Sequence, residues 1–143
     1  MGTRLLQYAG RIHLTVGILT VAFFGFTGHW MDGVHDHLVG YDTTTRMLFR
    51  SVHIYILLVG IAHFFLGLNY QPATVLWRQA LQGIGSLLLL AAPFYLGIAF
   101  FTEPWLEELA RPYTRPALYA MFGGGLAYFA AWMIPAVRQK ATA

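Results

Sequence analysis

Residues Arg46–Tyr70 read RMLFRSVHIYILLVGIAHFFLGLNY, a run of mostly apolar side chains long enough to cross a bilayer as one helix. Two histidines, His53 and His63, lie inside it. Ionisable side chains within a span are costly, and they normally face a bundle interior, a partner or a water path. Around His63 the spelling is Gly60-Ile-Ala-His63-Phe-Phe-Leu-Gly67. The same frame occurs once more upstream, as Gly10-Arg-Ile-His13-Leu-Thr-Val-Gly17.

Composition places the whole chain in the same class. Its 143 residues suit a single domain, 1–143. They are 57% hydrophobic and 10% charged, against about 25% charged in ordinary soluble domains, so an integral membrane protein is expected. The net charge of +3 is spread over loops and termini and forms no basic face, which sets nucleic acid aside as a partner. The absence of cysteine removes disulfides, zinc ribbons, iron–sulfur clusters and thiol chemistry. Leu6 stands where a myristoylation signal asks for Ser or Thr. The first apolar run continues to Phe26, longer than the core of a cleaved signal peptide, and is expected to be a retained span.

Four apolar segments have bilayer length, at about 9–30, 47–69, 80–101 and 115–136. The expected fold is all-α, a four-transmembrane-helix antiparallel bundle, because unpaired backbone is not tolerated in hydrocarbon. Arg4, Arg11, Arg78, Arg138 and Lys140 fall on the side of both termini, and all six acids fall on the other. That distribution predicts cytoplasmic termini, in a bacterial inner membrane. Pro93 lies inside the third span, where it frees a carbonyl one turn earlier and predicts a kink.

In an antiparallel hairpin of the first two helices, His13 and His63 differ in depth by only about 3 Å. Gly10, Gly17, Gly60 and Gly67 bracket them on the same faces. Bare backbone on both sides of a histidine suits a flat macrocycle, so haem b with His13 and His63 as axial ligands is one expectation. The other is that the glycines serve close helix packing, each histidine bonding a backbone carbonyl or a Ser/Thr of a neighbour. A second haem between His29 and His53 is a further alternative, although His53 points roughly 80° away from His63 around the helix. Arg50 could hold a haem propionate or a quinone oxygen, or pair with Glu103 across the bundle. In the first outer loop His29, Asp32, His35 and His37 offer four nitrogen or oxygen donors within nine residues, a candidate for zinc, copper or nickel.

Arg11-Ile-His13, with Thr27-Gly28 closing the same span, resembles the first helix of the cytochrome b subunits of formate dehydrogenases and hydrogenases. Gly60-Ile-Ala-His63 is similar to the Gly-Ile-Arg-His segment of succinate dehydrogenase cytochrome b anchors, with Ala62 in place of the arginine. Both resemblances imply haem binding and electron transfer to the quinone pool. Arg50-Ser-Val-His53-Ile-Tyr-Ile-Leu-Leu, with Phe101-Thr-Glu103-Pro104, looks like small uncharacterised bacterial integral-membrane proteins and implies a four-helix architecture without an activity. Three functions follow as expectations: a b-type cytochrome subunit, a cofactor-free structural or assembly subunit, and a metal-binding membrane protein. Membrane lipid and further subunits of a complex, or copies of the chain itself, are the expected partners.

Overall fold

The computed structural model describes residues 2–106 and 109–133, the first six by backbone alone. It is all-α: helices α1 (Gly2–Gly33), α2 (Thr43–Leu68), α3 (Leu76–Thr102) and α4 (Thr114–Met133) run antiparallel in succession, with no strand among the described residues. Short 3₁₀ turns at Asp36–Leu38 and Glu103–Trp105 complete the connections. The helices start earlier than the apolar runs do. Asp42 explains one such extension: its carboxylate accepts from the Thr44 and Thr45 amides at 2.8 and 3.0 Å, capping α2 four residues before the expected span.

Three helical stretches are long and apolar enough to cross a membrane: Tyr8–Gly33, Thr43–Leu68 and Leu76–Trp105. The fourth expected span, 115–136, does not join them within its described part. Arg115, the Gly123-Gly124-Gly125 run and two tyrosines dilute its apolar character, and residues 134–136 lie outside the described residues. Large apolar side chains cover the outside, among them Leu87, Phe94 and Leu126, each more than two-thirds exposed. Such a surface is unusual for a monomer in water and ordinary in lipid.

The core lies between α2 and α3. Phe49, Val52, Ile56, Val59 and His63 are buried along α2, and Gly85, Leu89, Ala92, Leu96 and Ala99 along α3. Both series step by three or four, the spacing that keeps one stripe of a helix on a facing helix. Each of these central helices carries an outer partner, α1 on α2 and α4 on α3. Glycine makes the outer seams close. A Cβ on Gly17 would stand 2.5 Å from the Phe64 amide nitrogen, and one on Gly124 would stand 2.7 Å from the Gly85 carbonyl. In lipid such approach, not apolar burial, drives helix association.

Candidate functional site: the histidine seam

His13 and His63 do come together, at one level and both fully buried. Their Nδ1 atoms are 2.8 Å apart and their rings stack, with centroids separated by 4.9 Å and planes inclined by 29°. His63 Nε2 stands 3.0 Å from the Leu89 carbonyl oxygen. A carbonyl can only accept, so His63 carries its proton on Nε2 and its Nδ1 is a lone pair. His13 therefore donates from Nδ1. The protons run one way, from His13 to His63 to Leu89.

Leu89 is the residue that needs such a donor. Its carbonyl would ordinarily receive the amide of residue 93, but Pro93 has none. An imidazole from α2 replaces the missing helix bond. Pro93 thus opens a socket in α3, His63 fills it, and His13 holds His63 in the correct tautomer.

The seam around this pair does not fit a haem. Axial ligands must stand on opposite sides of an iron, whereas these nitrogens are at hydrogen-bond distance from each other. The glycines expected to clear space for a ring are occupied instead by the partner helix. Added Cβ atoms on Gly10 and Gly60 would meet Tyr70 at 2.9 Å and Val21 at 3.0 Å. One on Gly67 would collide with the Leu14 backbone. Gly10, Gly17, Gly60 and Gly67 act in helix packing.

The other predicted residues are distributed as follows. His53 faces α1, stacked on Phe24 with centroids 3.9 Å apart, and its Nδ1 lies 2.9 Å from the Thr27 hydroxyl. Thr27 donates its own proton to the Phe24 carbonyl, so it accepts from His53. His29 is exposed. Arg50 and Glu103, expected as a possible ion pair, do not meet. Arg50 is exposed, whereas Glu103 is fully buried and accepts from the Tyr113 and Thr114 amides and the Thr114 hydroxyl. Those are the unsatisfied donors at the start of α4, where the helix dipole also favours negative charge.

The outer loop separates its four donors. Asp36, His37 and Leu38 have φ of 44°, 56° and 64°, three consecutive left-handed residues, a conformation that costs roughly 1–2 kcal/mol each. Buried Leu38 anchors the turn. His37 consequently folds back on Asp32, with Nδ1 to Oδ1 at 2.8 Å. His35 turns the other way, into a cluster of Trp30, Tyr41, Phe49 and Trp105, and its Nδ1 lies 2.7 Å from the Tyr41 hydroxyl. Among the described residues no three His, Asp or Glu side chains converge as a metal site.

Several polar residues had no advance signal. Gln82 accepts from the Ala73 amide and donates to the Gln71 carbonyl, pinning the α2–α3 connection. Arg78 donates to the Ala131 and Trp132 carbonyls of α4. His13 Nε2, His35 Nε2, Tyr70 Oη and Ser86 Oγ are buried without a hydrogen-bond partner among the described residues. Next to the seam, a cavity of about 820 Å³ opens between α2 and α4, with His63, Asn69, Gln71, Leu89 and Tyr128 in its wall. No protein-family model, curated protein or solved structure matches the chain.

Proposed function

We propose that this protein is a cofactor-free helical subunit of the membrane, one that supports other membrane chains by packing its apolar helix faces against them. The observation that carries this proposal is the direct His13–His63 hydrogen bond, continued to the carbonyl that Pro93 leaves open. The residue pair best suited to a redox centre is engaged in joining three helices. Glu103 and Arg78 likewise bond the backbone of α4.

Two measurements test it. Protein purified from membranes of haem-replete cells should absorb only as its aromatic residues do. A Soret band that shifts on dithionite reduction and disappears in His63→Ala would overturn the proposal and restore a b-type cytochrome. After mild solubilisation and cross-linking, the chain should run in an assembly larger than its own 16.0 kDa. A monomer at every concentration would remove the subunit role.

The cavity beside His63 supports a second reading, binding of a lipophilic ring compound such as a quinone. Its walls are largely apolar, with the amides of Asn69 and Gln71 and the phenol of Tyr128 to orient a carbonyl. Solvent extraction of purified protein would yield about one quinone per chain if this holds, and only trace amounts if it does not.

A further inference from the structure

The lipid-facing side of α2 changes character along its length. Ile54, Leu58, Ile61, Phe65 and Leu68 are exposed and recur every three or four residues, forming one apolar stripe, with Met47 two turns above Ile54 on the same face. Near the top of that stripe, on the same face, stand Arg46 and Arg50, one turn apart. With Thr43, Met47, Ser51 and Ile54 they line a cleft of about 400 Å³.

Neither guanidinium has a hydrogen-bond or ion-pair partner among the described residues. The nearest acid in sequence, Asp42, has both oxygens engaged by Thr44 and Thr45. Those bonds, the Thr45 hydroxyl first, hold its carboxyl below the usual range, so it stays ionised in its capping role. Ser51 donates to the Leu48 carbonyl and leaves its lone pairs toward the cleft.

Depth completes the picture. Helix α2 has 26 residues, roughly 39 Å, about 9 Å more than the hydrocarbon it would cross. Centred in a bilayer, Arg46 lies at the boundary and Arg50 about one turn below it, within reach of the interface by extension of its side chain. An arginine pair without a partner among the described residues at that level, above the apolar stripe, matches a molecule with an anionic head and long apolar chains. We infer that the Arg46–Arg50 cleft binds the phosphodiester headgroup of an anionic phospholipid, whose acyl chains lie along the α2 stripe. Guanidinium forks suit phosphate oxygens, and a headgroup without its own amine leaves that charge uncompensated.

Native mass spectrometry of the full-length protein in detergent tests this, with phosphatidylglycerol, phosphatidylcholine and inorganic phosphate as separate probes. Phosphatidylglycerol should be retained preferentially, and Arg46→Gln/Arg50→Gln should weaken retention about 30-fold, each basic residue near an anionic surface contributing roughly fivefold. Equal retention of the two lipids by the wild-type protein would overturn the inference without recourse to any variant. So would undiminished phosphatidylglycerol binding by the double variant. Displacement of the lipid by millimolar inorganic phosphate would identify a free-anion site instead.

Discussion

The seams α1/α2 and α3/α4 solve one problem in two ways. Both close on glycine, Gly17 and Gly67 in the first and Gly85 and Gly124 in the second. In α1/α2 the polar bonds lie within the helices: His13 to His63, and His53 to Thr27. In α3/α4 they lie toward the two ends of the described part of α4, where Glu103 caps its start and Arg78 binds the Ala131 and Trp132 carbonyls. Neutral imidazoles can sit at depth because each proton finds an acceptor. The Glu103 carboxylate is placed where a helix start supplies unpaired amides. The inner bonds also reach a third helix through Leu89, so α1/α2 is the seam that joins the two hairpins.

Glycine replacement should affect both seams equally and most severely. Gly17→Leu and Gly124→Leu would each drive a side chain into the facing backbone, at about 3 kcal/mol or more in reversible unfolding in mixed micelles. If only one variant were destabilised, the two seams would not be equivalent in packing. Next in size is Glu103→Ala. It strands two amides and a hydroxyl at the start of α4, an expected loss of about 2–3 kcal/mol, while amide exchange within α1 and α2 stays as before. Arg78→Ala, which removes the half-buried bonds to the Ala131 and Trp132 carbonyls, should cost about 1 kcal/mol and raise amide exchange only around Ala131 to Met133. The smallest effect belongs to the α2 cap. The Asp42 carboxyl titrates below its ordinary value when folded, so its contribution is complete above that value. It is lost as pH falls through the folded pKa, so amide exchange at Thr44 and Thr45 should stay slow through the ordinary carboxylate range and rise only below it.

Much of the architecture was legible because lipid simplifies the rules. Long apolar runs must be helices, and short connections make successive helices antiparallel. The common depth of His13 and His63 followed from that hairpin alone. What stands between them did not, since the same glycine frame serves a flat ring or a bare backbone. Pro93 announced a free carbonyl at Leu89, but its donor lies on another helix 26 residues away in sequence and is visible only in three dimensions. Arg50 was a different matter. Phe49, Val52, Ile56 and Val59 mark the buried stripe of α2, and Arg50 stands about 100° from Phe49, on the lipid side. Its pairing with Glu103 could have been rejected from spacing. The partners of Glu103 are chiefly backbone amides, which no matching of side chains reveals. The outer-loop donors failed to converge for a reason equally hidden, a left-handed turn made by residues that are not glycine.

The central claim is that His63 serves α3 by bonding the carbonyl that Pro93 cannot. A double-mutant cycle in unfolding free energy addresses it directly, using His63→Phe, Pro93→Ala and both together. Alanine at 93 restores an amide for Leu89, so His63→Phe should cost about 2 kcal/mol in the wild-type background and about 1 kcal/mol less beside Ala in place of Pro93. The same cost in both backgrounds would mean that the histidine and the proline act independently, and the account of the seam would fail.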